Sequence, residues 1–386
     1  MGLAVGWNIT NVGAVAEPLA DAYGIGLGVV GLFTTSLFLV HALVQIPGGR
    51  RADRHGGLSR SARRPARHGC GQRAASRRAD PVLGIAVRAL VGLGTGVAFV
   101  AGSDYVRAAA GGPLAQGVFG GSAMAGGGFA LAVVPALNGP LGWRAPFATA
   151  LALALVGLVV LALSPRPLAR GEERSVTSLR GLLRDRRLDR LAVAHMASLG
   201  LNAVVANWAV TLLTRAGGYS LAVAGVASAL TLAAGIVGRP LGGWLSRGEP
   251  GRGRALVATS LAAGAAGTAL LLPAGPLALV LLACALVGFG AGLAFAPVFA
   301  AAAALRPAGP GAAVGLVNMA GNLVIVAGTP LLGLSFALPG DGRAGFAAVA
   351  ALWAAALLAL PRASELAAGE VTEPALAGTS LSRSTR

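Results

Sequence analysis

Apolar stretches of roughly helix-spanning length alternate with short polar breaks along almost the whole chain. The runs fall at about Leu3–Leu19, Leu27–Pro47, Val82–Asp104, Leu114–Leu137, Ala145–Leu163, Arg190–Leu213, Leu221–Leu245, Ala255–Leu272, Leu277–Ala300, Ala312–Leu338 and Ala344–Leu360. A helix of about 20 such residues crosses the hydrocarbon core of a bilayer. The pattern therefore predicts an all-α polytopic membrane protein.

The runs are organised as a tandem repeat. Leu90–Phe99, LVGLGTGVAF, returns as Leu286–Phe295, LVGFGAGLAF, with seven of ten positions identical at an offset of 196. Asn11 and Asn207 share that offset, as do Tyr23 and Tyr219. The closely spaced glycines let helix backbones approach one another. A phosphate-cradling loop would need a preceding strand and a helix starting at the glycines, and here they sit inside a helix-length apolar run. Two halves of six spans each are expected: 1–163 as the first bundle, 164–189 as a cytoplasmic linker, 190–360 as the second bundle, and 361–386 as a polar cytoplasmic tail that needs no fold.

Composition agrees, with 386 residues, 55% hydrophobic, 12% charged and a mean hydropathy of +0.73. A soluble enzyme of this length carries about twice that charge. The net charge of +17 comes from 31 basic residues, all of them Arg. Most lie between apolar runs, as expected where arginine-bearing loops are retained on the cytoplasmic side. That clustering, without a soluble domain, excludes nucleic-acid binding. Cys70 and Cys284 have no metal spacing. No His, Cys or acidic cluster has catalytic spacing, so no enzyme activity, metal or cofactor is expected.

One segment breaks the pattern. Residues 59–79, where the repeat calls for a third span equivalent to Ala255–Leu272, read SRSARRPARHGCGQRAASRRA, with seven Arg and no acid. Each Arg at a helix centre costs about 2.5–3.5 kcal/mol on insertion scales, so this segment cannot span. Reading it as a loop inverts everything downstream and sends the 164–189 linker, itself with seven Arg, outside. Reading it as a frame-shifted third helix in GC-rich DNA keeps the charge asymmetry.

The second run continues into Gly48-Gly49-Arg50-Arg51-Ala52-Asp53-Arg54-His55-Gly56. Here the glycines suit a tight turn, and Asp53 can accept hydrogen bonds or cap a helix while the arginines hold the segment inside. Gly49, Ala52, Asp53, Arg54 and Gly56 resemble the signature loop between helices two and three of the major facilitator superfamily. Arg88 followed by Gly92, Gly94 and Gly96 is similar to the signature of that family's fourth helix, with Val91 where a Gln is usual. Asp104 closes the same helix and can pair with Arg54. The resemblance implies 6+6 helical bundles that rock about a central site, and associates the Arg88 position with proton transfer. The fifth span lacks the Gly-Pro pair of the family's drug antiporters, its proline being Val134-Pro135.

Intramembrane polar groups face the bundle interior or a watery cavity. The candidates for lining a substrate cavity are Asn8, Asn11, Glu17 and Arg88 in the first half, and His195, Asn202, Asn207, Asn318 and Asn322 in the second. Asn8 and Asn11 share a helix face, and interhelical hydrogen bonding accounts for them as well as substrate contact does. His195, Ser198 and Asn202 share another face. Arg239 reads as the cytoplasmic end of the eighth span.

The expectation is a monomeric, multi-pass secondary transporter of the bacterial inner membrane, with both termini cytoplasmic. It moves a small polar or anionic solute with a proton as coupling ion, and Glu17 or Arg88 takes part. The alternatives are a proton-driven drug exporter, a membrane sensor on the same fold, and an inactive product lacking a true third helix.

Overall fold

The structure, a computed structural model, describes residues 1–55, 80–109, 112–163, 179–246 and 251–367. The Arg-rich segment 59–79, Gly56, most of the linker and the end of the tail lie outside the described residues. All described regular elements are helical, as backbone in lipid requires, since only intra-segment hydrogen bonds are available there. Nine described helices are long and apolar enough to cross a membrane, and a shorter apolar one covers Arg343–Ala359.

The first apolar run is a broken helix rather than a continuous span. α1 (Gly2–Thr10) stops before a 3₁₀ turn at Gly13–Val15, and α2 (Ala16–Tyr23) begins after Val15 leaves helical geometry at φ −136°, ψ 41°. Pro18 sits in the first turn of α2, where a missing N–H costs nothing. Gly13 lets the break press against Asn207 of the second half, whose carbonyl oxygen would lie 2.3 Å from a Cβ there.

α3 (Leu27–His55) runs on through the signature segment. The turn expected at Gly48-Gly49 is thus helix, and Gly48 serves to pack against Val100 of α4 (Pro81–Ala109). α5 (Gly112–Ala136) and α6 (Ala145–Leu163) complete the described first half. The two glycine-rich copies are packing devices, as the sequence indicated. A Cβ on Gly92 would lie 2.1 Å from the Leu37 carbonyl oxygen of α3, and one on Gly288 would lie 2.4 Å from that of Leu230 in α9 (Leu221–Leu245).

The second half opens with Asp185 capping α7 (Arg186–His195): its carboxylate accepts from the Arg187 N–H at 3.1 Å. That carboxylate also pairs with the side chains of Arg187 and Arg306. The guanidinium beside it, Arg187 first, holds the Asp185 carboxyl below its ordinary 3.8. The short helix Leu179–Leu183 packs against α13 (Pro310–Ser335), and its Gly181 carbonyl accepts from Arg306 at 2.8 Å. A π-helical turn over Met196–Leu201 joins α7 to α8 (Asn202–Gly217), and such turns occur often at functional sites. α10 (Arg252–Leu271), α11 (Leu277–Leu293), α12 (Phe295–Ala304) and α14 (Arg343–Ala356) follow. The tail starts folded: Ala363–Ala367 is a short helix with Leu366 buried and Glu365 paired to Arg190 at 3.4 Å.

The halves meet along two seams, α3 against α13 and α5 against α9. The α7–α8 stretch is central, with 89% of its apolar window buried, whereas only 22% is buried for the span through α6. Leu155, Val156, Val159, Val160 and Leu163 point outward from α6, which suits a lipid-facing helix.

Candidate functional site

Two arginines lie inside the helix bundle. Arg88, on α4, is fully buried. Its Nε donates to the Phe33 carbonyl at 3.3 Å, Nη1 to Asn8 Oδ1 at 3.1 Å and to Asn11 Oδ1 at 3.3 Å, and Nη2 to the Asn8 carbonyl at 2.6 Å. Asn8 and Asn11 lie three apart on helical backbone, so one face presents both amides to the guanidinium. Asn11 is fixed in turn by donating to the Pro146 carbonyl at 2.9 Å. The result is a clamp in which every guanidinium nitrogen is bonded and no carboxylate takes part. Carbonyl and amide oxygens are what stabilise an intramembrane cation when an acid is missing.

Arg239, on α9, is 3% exposed and has a different environment. Its Nη1 donates to the Gly120 carbonyl of α5 at 2.8 Å, and its guanidinium carbon lies 4.0 Å over the Phe295 ring. Its Nε has no hydrogen-bond partner. Gly120 makes the fit possible, since a Cβ there would come within 2.6–2.7 Å of the Phe295 ring and of Arg239 Nη1.

Arg239 lines a cavity between the halves. The first half contributes Val5, Ile9, Phe38, His41, Phe99, Ala123 and Met124, and the second Leu199, Asn202, Ala203, Leu232, Arg239, Phe295, Asn318 and Asn322. The first-half wall is apolar apart from His41, whose Nδ1 lies 3.1 Å from Thr95 Oγ1. The second-half wall carries the amides and the cation. Asn202 has both side-chain polar atoms without a partner, and Asn322 has its Nδ2 without one. A buried amide of this kind costs about 1–3 kcal/mol until something bonds it. Among the described residues no carboxylate lines the cavity. The space open to water centres is about 30 Å³, enough for about two waters at ~15 Å³ each, so the cavity is closed around little.

The predicted residues therefore separate. Asn202, Asn318 and Asn322 line the cavity, while Asn8, Asn11 and Arg88 bond one another outside its lining. His195 sits one layer behind, its Nε2 3.2 Å from Asn318 Oδ1 and its ring edge-on to Phe299. Asn207 is engaged across the halves, its Oδ1 accepting from Thr34 Oγ1 at 3.5 Å. Glu17 lies at the bundle end near Gly24, paired with Arg215 Nε and accepting from Thr214 at 3.5 Å. Gly49, Asp53, Arg54 and Asp104 have helical backbones, their side chains lying outside the description. Arg239 and His41 were missed as cavity residues. The signal was present for Arg239, an arginine followed by Pro240 well inside an apolar run, but it was assigned to the helix end. Metal coordination finds no support: among the described residues no group of three His, Cys, Asp or Glu side chains could hold an ion.

A bundle of membrane-length helices around a largely apolar cavity that carries a few amides and one cation, between two repeat-related halves, is the architecture of a membrane transport protein. The family model described as Major Facilitator Superfamily matches residues 1–329, and the chain belongs to that superfamily. Among solved structures, a crystal structure of an aspartate-to-alanine mutant of the nucleoside transporter NupG superposes with a TM-score of 0.67 at 14% identity, covering 95% of this chain and 98% of that one. No curated protein sequence matches this chain.

Proposed function

We propose that this chain is a secondary transporter that carries a small polar or anionic solute through the cavity between two six-helix halves by alternating access, with a proton as coupling ion. The observation that carries the reading is the placement of Asn202, Asn318, Asn322 and Arg239 on one wall of a cavity that both halves line. A site shared by two halves opens to one side at a time when they rock. Glu17 or Arg88 takes part in the proton step, and His41 and His195 are further titratable groups at and behind the cavity. The boundaries that go with it are bundles over 1–163 and 190–360, a linker over 164–189 and a tail from 361, in a monomer of the bacterial inner membrane with both termini cytoplasmic.

The test is flux in proteoliposomes holding the purified chain, with pH gradients of either sign imposed. Solute accumulation that reverses with the gradient supports the reading, and flux indifferent to pH removes the proton from it. The second reading, an inactive product, is favoured by the Arg-rich segment 59–79. Resequencing across codons 55–85 decides between them: a frame correction that restores an apolar helix supports an intact transporter, and confirmation of the Arg-rich text predicts no flux. A drug exporter fits less well, because the cavity presents an uncompensated cation rather than a carboxylate.

A further inference from the structure

Resting on the cavity reading above, we infer that Arg239 is the anchor for the carboxylate of a small organic anion, and that engaging it releases the contact between α5 and α9. The two buried arginines make the assignment. Arg88 has four hydrogen bonds to oxygens of its own half and lies outside the cavity lining, so an anion in the cavity does not reach it. Arg239 has an Nε without a partner, lines the cavity and meets no carboxylate there. A guanidinium presents a planar fork that takes a carboxylate through two parallel bonds. The same wall offers the unsatisfied amides of Asn202 and Asn322, suited to a hydroxyl or carbonyl elsewhere on the solute. The opposite wall is apolar and aromatic, with Phe38 and Phe99. The class that fits is a carboxylate with a compact apolar or aromatic body and one further hydrogen-bonding group.

The latch follows from where Arg239 spends its one bond across the halves. Nη1 donates to the Gly120 carbonyl on α5 at 2.8 Å, and a Cβ on Gly117 would meet the Arg239 carbonyl oxygen at 2.9 Å, so the two helices are in backbone contact here. A carboxylate drawing the guanidinium fork into the cavity competes with the neutral Gly120 carbonyl and wins, being the charged acceptor. Solute binding therefore loosens this seam at the point where the halves must part.

The experiment measures thermal stabilisation of the purified full-length chain in detergent by 4-hydroxybenzoate and benzoate against the uncharged 4-hydroxybenzamide, benzamide and uridine. Expected in the wild type is an apparent Kd at least tenfold lower for each carboxylate than for its amide. Arg239→Gln abolishes the preference and Arg239→Lys keeps part of it. Spin labels on the outward positions Val118→Cys and Val237→Cys, in a Cys70→Ser background, report the α5–α9 distance. It is expected to lengthen with 4-hydroxybenzoate in the Arg239 protein and to stay fixed in Arg239→Gln. Equal stabilisation by acid and amide, stabilisation by uridine alone, or a carboxylate preference that survives Arg239→Gln overturns the proposal. So does a series in which no carboxylate separates wild type from variant. Should Arg239→Gln not fold, the acid-against-amide comparison in the wild type and the Arg239→Lys result still decide. Uridine binding with gradient-driven flux would sink the anion anchor and leave transport standing. No gradient-dependent flux for any of the five solutes, despite carboxylate binding at Arg239, would do the reverse.

Discussion

Arg88 and Arg239 are the same side chain buried to nearly the same degree, and they do opposite things. Arg88 is enclosed by its own half, with every bond made to α1 or α3. Arg239 reaches across to the other half for its bond to Gly120, rests on an aromatic face and keeps Nε unbonded. Burial alone thus says little about function in a membrane bundle. The informative quantity is how many donors the fold has already satisfied. A saturated cation is structural, and an unsaturated one beside a cavity is available to a ligand.

That contrast is broken most severely at Arg88. Arg88→Leu removes the donor that the side-chain oxygens of Asn8 and Asn11 share, and each buried acceptor left without a partner costs about 1–3 kcal/mol. The expected outcome is loss of a monodisperse species in size-exclusion chromatography. A stable, transport-competent Arg88→Leu protein would mean that the clamp is not structural. Arg239→Gln, in contrast, gives up one charge-assisted bond to a carbonyl, about 1.5–3 kcal/mol, and the ring contact with Phe295, and is expected to elute normally while solute flux falls at least tenfold. If it unfolds as Arg88→Leu does, the distinction between the two arginines fails.

Smaller changes sharpen the comparison. Gly120→Ala drives a methyl against the Phe295 ring and Arg239 Nη1, an overpacking expected to cost about 1–3 kcal/mol. Flux should fall with it, because the guanidinium is displaced from its cradle. Asp185 is a control remote from both arginines. Its carboxyl is held below the ordinary value, so its contribution is present above that value and is lost as pH falls through the lowered one. Asp185→Asn should remove about 1 kcal/mol with the cap and ion pairs weakened, and should flatten the acid limb of a stability–pH curve without moving solute preference. Glu17→Gln breaks a partly solvated pair with Arg215, worth about 1 kcal/mol or less. Thermal stability should hardly change, and a large loss would show that the Glu17 end is a tighter closure than its exposure implies.

Much of this was legible from residue order. The apolar runs recur as helices at nearly their predicted limits, because a span is set by local hydropathy and length. The two glycine-rich copies pack as expected, because a glycine in an apolar helix has little other use. The first run differs: its hydropathy is continuous, yet the helix gives way to a 3₁₀ turn at Gly13–Val15 and leaves helical geometry at Val15. Asn202, Asn318 and Asn322 were identifiable as inward-facing, whereas nothing in their spacing separated them from Asn8 and Asn11. Hydropathy puts Arg239 at a helix end, and only the packing of α5 against α9 makes it a cavity residue.

The sequence by itself determined that this is a duplicated, all-helical membrane protein of a known transporter superfamily with polar residues inside its spans, since hydropathy, period and motif are properties of neighbouring residues. The tertiary structure alone decided which of those residues are spent and which are free. Arg88 is matched to an asparagine 80 positions away and Arg239 to a carbonyl 119 positions away, and whether a buried donor finds its acceptor depends on helices that only packing brings together.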